Sequence, residues 1–181
     1  RIKQTVNFDN PKVYHLYYGN AVGAAGTVMT YFPFPGLARG RRGTGEVRSV
    51  SYSVPVGSLD FWEARLEAHG VAGVMRDDWF GADCLDFEAP DGDEFRLVER
   101  GFDQRAPFLR GGTGDAAIRG FDGVTLTLAE IESTAEILQA MGYRRDGVDG
   151  AVTRFRLPDH NGAGLVDLEL APDQPKAVEG A

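Results

Sequence analysis

One cysteine, Cys84, stands in 181 residues. A single thiol excludes an internal disulfide framework and any cysteine-rich zinc module. Long apolar runs are missing too, and none approaches the roughly 18 residues that a membrane span needs. Basic residues are in deficit: 19 Lys and Arg against 27 Asp and Glu leave a net charge of −8. Phosphate neutralisation needs a basic face, so nucleic acid is disfavoured as a partner. No secretory leader is visible, and since the chain does not begin with Met, a lost leader or N-terminal segment stays open. The expected location is the reduced cytoplasm. Histidine is scarce: only His15, His69 and His160 occur, with no H-E-x-x-H motif and no paired spacing.

Glycine, by contrast, is plentiful at 24 residues, which suits short strands and tight turns better than long helices. Residues 2–6, 13–18 and 27–32 read as strands, the last stopped by Pro33 and Pro35. A basic, glycine-rich stretch at 36–45 lacks the G-x-x-x-x-G-K-[ST] spacing of a phosphate loop and reads as a solvated connector. The pattern then changes. Val50, Tyr52 and Val54 alternate along a strand that Pro55 ends. Ser58 is placed to cap a helix in which Leu59, Trp62 and Leu66 share a face, and Gly70 supplies the stop. Strands follow at 71–76, 84–88 and 94–100, the last two joined by an Asp91-Gly92 turn.

The same order returns at 121–128, a helix at 131–141 stopped by Gly142, and strands at 143–146, 152–157 and 165–170. The stop glycines Gly70 and Gly142 lie 72 residues apart, a period that marks an internal repeat. The expected class is α+β, built of tandem βαβββ units with mixed curved sheets and the helices outside. The predicted division is a partial first unit of strands at 1–36, a linker at 37–45, a second unit at 46–101, a linker at 102–117, a third unit at 118–173 and a tail at 174–181 leading towards a missing fourth unit.

Tandem units of this kind resemble the vicinal oxygen chelate superfamily, which includes glyoxalase I, bleomycin-resistance proteins and extradiol dioxygenases. The resemblance narrows at Thr5-Val6-Asn7-Phe8-Asp9-Asn10-Pro11, at Tyr14-His15-Leu16-Tyr17-Tyr18-Gly19 and at the run from Gly26 to Pro35. Arg41-Arg42-Gly43-Thr44-Gly45, Gly57-Ser58-Leu59-Asp60-Phe61-Trp62 and Ile118-Arg119-Gly120-Phe121 extend it. Together these are similar to hydroquinone-type ring-cleaving dioxygenases with four units per chain. The resemblance implies that the intact protein opens a hydroquinone- or catechol-like ring with O₂ at a non-haem Fe(II). It also implies that the two histidines and one glutamate holding that iron lie outside this chain, so no metal ligand is assigned within it and no bound iron is expected in it.

The partners implied are a small aromatic substrate and O₂, with no membrane and no nucleic acid; a homo-oligomer stays open. Two other readings stand beside this one: a metal-free aromatic-ligand-binding or resistance module, and a glyoxalase-type metal lyase.

Laid on the family pattern, Thr30 takes the position of the metal-binding glutamate. There it lines the pocket, or is simply a β-branched strand residue. His15, on a strand among tyrosines, is the candidate for a residue adjoining the iron cup, or a packed, hydrogen-bonded strand histidine. His69 precedes a helix stop, where a cation suits the helix dipole. His160 falls in a turn. In the paired second and third units the corresponding corners read Ser49, Arg96, Gly123 and Asp167. Either an Arg96–Asp167 salt bridge fills that cup, or both side chains point to solvent. Asp122 stands where some relatives carry histidine.

Overall fold

The computed structural model describes residues 3–107, 109, 113–160 and 162–178. Ile2, Asn161 and 179–181, to which the sequence reading also extends, lie outside the described residues. Three short strands come first: β1 (Lys3–Val6), β2 (Tyr14–Tyr18) and β3 (Met29–Tyr31) form an antiparallel sheet of their own. β4 (Glu46–Val54), α1 (Leu59–Ala68), β5 (Met75–Asp78), β6 (Asp83–Glu88) and β7 (Glu94–Glu99) follow. Then come β8 (Gly120–Leu128), α2 (Glu132–Ala140), β9 (Arg144–Asp149), β10 (Val152–Arg156) and β11 (Leu165–Leu170).

β4 to β11 make one eight-stranded sheet in the order β5-β6-β7-β4-β8-β11-β10-β9. β4 and β8 meet antiparallel at its centre, and each pairs in parallel with the last strand of its own unit, β7 or β11. The arrangement therefore reads alike from either edge. It is an α+β fold with a mixed, curved sheet.

Both helices lie on one face. Leu59 of α1 joins Val54, Leu85 and Leu97 in one buried cluster, with Tyr52, Trp62 and Leu66 packed against it. Leu138 of α2 joins Phe155 and Leu168 in the other, with Leu126, Ala135 and Val166 against it. Truncating a fully buried leucine such as Leu85 or Leu168 to alanine costs about 2–5 kcal/mol. Gly70 and Gly142 end the helices in the left-handed conformation, at φ +76° and +96°. No helix among the described residues is long and apolar enough to cross a membrane.

Four local features differ from the sequence reading. Ser58 does not cap α1 with its side chain; its hydroxyl donates to the Pro55 carbonyl at 2.6 Å. The Glu99 carboxylate accepts the N–H groups of Gly57, Ser58 and Leu59 instead, at 2.8, 3.0 and 3.3 Å. An anion fixed from a neighbouring strand meets both the free donors and the dipole of the helix start.

The strand expected at 71–76 is displaced to Met75–Asp78, because the chain first turns: Val71 N–H bonds the Leu66 carbonyl and Gly73 takes φ +70°. The strand expected at 143–146 runs on to Asp149, through Gly147. The 36–45 stretch is not wholly a free connector either, since Arg41 and Thr44 bridge Val178 and Lys176. Gly43 permits this approach, as a Cβ there would overlap the Pro175 carbonyl.

Candidate functional site

The sheet face away from the helices is polar yet buried. Ser51 and Ser53 of β4 and Thr125 and Thr127 of β8 are at most 4% exposed. The apolar residues that alternate with them face the helices; on β8, Val124 and Leu126 are less covered than the threonines beside them. This concave polar face is the inside of the cup formed by the two paired units.

Charge fills it as bidentate pairs. Arg96 bonds Asp86 at 2.6 and 2.7 Å. Arg154 bonds Asp167 at 2.8 and 2.7 Å, with both side chains at most 5% exposed. Arg100 reaches from the end of β7 to Asp122 on β8 at 2.8 and 2.9 Å. Burial works against the charge on Arg96 and on Arg100, and the paired carboxylates outweigh it.

The expected Arg96–Asp167 salt bridge is therefore absent, and neither side chain points to solvent. Register is the reason. Arg96 stands directly opposite Asp86 in the β6–β7 pair, and Asp167 directly opposite Arg154 in the β10–β11 pair. Opposed residues in an antiparallel pair are close enough to bond without crossing the cup. The two units thus carry the same ion pair with its signs exchanged between strands. Register also splits the four expected corners: Arg96 lies beside Ser51 and Asp167 beside Thr125, while Ser49 lies beside Glu94 and Gly123 beside Leu165.

What crosses the cup is an indole. Trp79, in the loop between β5 and β6, donates its N–H to Asp167 at 3.0 Å, and the Arg96 guanidinium lies 3.6 Å from its ring centroid. Phe80 follows in the left-handed conformation, at φ +54°, with Arg154 3.8 Å from its ring centroid. A non-glycine residue held there signals local strain compensated by packing. Trp79 carries no assigned role in the sequence reading. The signal missed was a Trp-Phe-Gly run between two strands.

His15 lies elsewhere, on β2 opposite Thr5 of β1. Its ring stacks on Tyr17 and tilts against Phe32, with centroids 4.0 and 4.1 Å away. Nδ1 and the Tyr17 hydroxyl share a hydrogen bond of 2.8 Å. Nε2 is buried and meets no partner among the described residues. Thr30 stands on β3 opposite Tyr17 and is exposed, on the rim of a cavity of about 390 Å³ that Phe32, Val47, Ser49 and Glu94 also line. His69 is exposed at the end of α1. His160 accepts the Gly162 N–H at 2.9 Å in a loop.

Among the described residues no three His, Cys, Asp or Glu side chains gather into a set that could hold a metal ion. Within the cup the reason is visible: Asp86, Asp122 and Asp167 each spend both oxygens on an arginine. Cys84 is fully buried, and burial pushes its thiol up to about 12, far from the thiolate a metal would need. The residues of this cup do not fit a catalytic Fe(II).

No family model matches the chain. It is 40% identical over 173 residues to MhqO of Bacillus subtilis strain 168, a protein that carries the name of a ring-cleaving dioxygenase; 94% of this chain and 55% of that protein are covered. It is 32% identical over 182 residues to the chlorohydroquinone/hydroquinone 1,2-dioxygenase of Sphingobium indicum, covering 96% of this chain and 56% of that one. Among solved structures, one described as a dioxygenase of Bacillus subtilis superposes with a TM-score of 0.91 at 39% identity, over 99% of this chain and 58% of that one. Glyoxalase I of Zea mays superposes with a TM-score of 0.69 at 14% identity, over 100% of this chain and 63% of that one, which shows the shared fold. The chain spans little more than half the length of the curated relatives it matches.

Proposed function

The chain fits the vicinal oxygen chelate superfamily and resembles its hydroquinone-type ring-cleaving dioxygenases, and from that premise we propose that the protein opens a hydroquinone- or catechol-like ring with O₂. The carrying observation is similarity over nearly the whole chain to proteins named for that reaction. Both oxygen atoms enter the product as one ring C–C bond breaks, so no external reductant is required. In this reading a non-haem Fe(II) is held by residues outside these 181, and the protein works in the cytoplasm.

Within the reading, 46–101 and 118–173 are two copies of one βαβββ unit and 1–36 is part of another. The paired copies form the scaffold. Their filled cup supports that role, since three bidentate ion pairs and Trp79 take the place of a metal. The catalytic side is the small sheet. His15 can hold or release a proton at Nε2: when the Tyr17 hydroxyl donates to Nδ1, Nε2 carries the hydrogen and has no acceptor among the described residues. Thr30, opposite Tyr17, is an uncharged residue of a cavity wall on the same sheet.

A second reading, a metal-free module that binds an aromatic ligand, draws on a largely apolar cavity of about 470 Å³ between the small sheet and α1. Tyr18, Met29, Tyr52, Trp62, Phe95 and Ile118 line it. Oxygen uptake separates the two. Full-length protein supplied with Fe(II) should consume O₂ with hydroquinone and yield a ring-opened semialdehyde absorbing in the near ultraviolet. Binding of hydroquinone without oxygen uptake would leave the binding module. Turnover of a glutathione hemithioacetal without oxygen uptake would make it a glyoxalase-type lyase.

A further inference from the structure

The mouth of the polar cup remains open. A cavity of about 400 Å³ lies over its floor, lined among others by Ser49, Met75, Trp79, Arg96, Thr125 and Val152. That is the scale of a small-molecule pocket and well above what one or two waters fill. Two of its lining side chains carry unmet hydrogen-bonding groups. Arg96 is 9% exposed, and with Nε and Nη2 committed to Asp86, its Nη1 is buried without a partner among the described residues. Thr125 is 4% exposed, and its Oγ1 is likewise buried without a partner among the described residues. A buried guanidinium N–H and a buried hydroxyl left unpaired both cost free energy, and a ligand oxygen would satisfy them.

The surrounding charges choose the kind of ligand. Asp86 cancels Arg96. At the rim Arg48 is shared by Glu94 and Glu169, at 3.1 and 3.2 Å, and Glu88 pairs with Arg39 at 3.8 Å, so the carboxylates outnumber the guanidinium groups by one. The local balance is negative, so an anionic ligand is repelled. Met75, Trp79 and Val152 offer apolar surface to a flat body. We propose that this cup is a binding site for a small uncharged aromatic molecule whose hydroxyl or carbonyl oxygen meets Arg96 and Thr125. The site does not depend on the dioxygenase reading.

Crystals of the full-length protein soaked in 4-bromophenol test it, with 4-bromobenzoate as the anionic counterpart. Phenols titrate near pH 10, so the first stays neutral near pH 7. The expected result is an anomalous bromine peak in the cup, with the phenol oxygen within hydrogen-bonding distance of Arg96 Nη1 and Thr125 Oγ1, and no such peak from 4-bromobenzoate. Thr125→Val, nearly the same shape without the hydroxyl, should raise the soak concentration for half occupancy about fivefold. Bromine bound elsewhere would not bear on Thr125 and should be unaffected by that change. A cup holding ordered water only, a cup that takes the benzoate, or equal occupancy in Thr125→Val would each overturn the proposal.

Discussion

Trp79 and Asp167 are 88 residues apart in sequence and joined by a 3.0 Å hydrogen bond across the cup. The same carboxylate takes both arms of Arg154, so one buried anion ties a loop of the second unit to two strands of the third. Trp79 in turn receives Arg96 on its face. An aromatic ring between two ion pairs of opposite polarity occupies the floor of the cup that a metal would otherwise use.

Depth should rank the ion pairs. Asp167→Ala strands Arg154, only 3% exposed, and should cost about 3–5 kcal/mol. Asp122→Ala leaves Arg100, 11% exposed, and should cost somewhat less. Asp146→Ala releases Arg156, more than a third exposed, and should cost under about 1 kcal/mol. Urea unfolding midpoints of the three variants should fall in that order.

The start of α1 should respond to a residue 40 positions away rather than to its own N-cap. Glu99→Ala removes the acceptor of three N–H groups and should destabilise by about 1–2 kcal/mol. Ser58→Ala, which loses only a bond to Pro55, should cost about 1 kcal/mol or less. Thermal unfolding of the two variants would show the difference, and equal losses would return the capping role to Ser58.

Acid should loosen the fold through Asp103 and Asp146. Burial pushes the Asp103 carboxyl up, but the Arg105 hydrogen bonds outweigh it and hold it below the ordinary 3.8. The bond from Arg156 lowers Asp146 in the same way. A carboxylate depressed in the folded state stabilises fully above its unfolded value, and that contribution is lost as pH falls through the folded value. Stability should therefore decline below about pH 4. Asp103→Asn should flatten the decline, measured as urea midpoint against pH.

Cys84 should be inert in the native protein. It is fully buried, and its thiol, pushed up to about 12, stays protonated. Iodoacetamide at about pH 8 should leave its peptide unmodified until guanidinium chloride unfolds the chain, as peptide mass mapping would show.

The repeat was legible because stop glycines, strand alternation and an apolar helix face recur at a fixed spacing, and the sheet order follows from placing two such units side by side. Arg96 and Asp167 were legible as charges of the cup. Their partners were not, because a bidentate pair depends on which residues stand opposite in each hairpin, and strand composition does not set that register. Trp79 was illegible for a similar reason: whether a loop aromatic turns outward or folds over a sheet depends on what waits there, here Arg96 and Asp167. Glu99 escaped notice because a cap supplied from another strand leaves no mark near the helix it caps. His15 stood out by its company of tyrosines, but only the three-dimensional contacts separate its bonded Nδ1 from its free Nε2.

The central claim is that the paired units form a filled scaffold and that chemistry takes place elsewhere. The most direct test is an iron anomalous map of the full-length protein grown anaerobically with Fe(II). The account predicts an iron peak outside the cup, nearer to His15 and Thr30 than to Trp79, with the Arg96–Asp86 and Arg154–Asp167 pairs intact. Iron inside the cup, ligated by Asp86 or Asp167 with its arginine displaced, would contradict it.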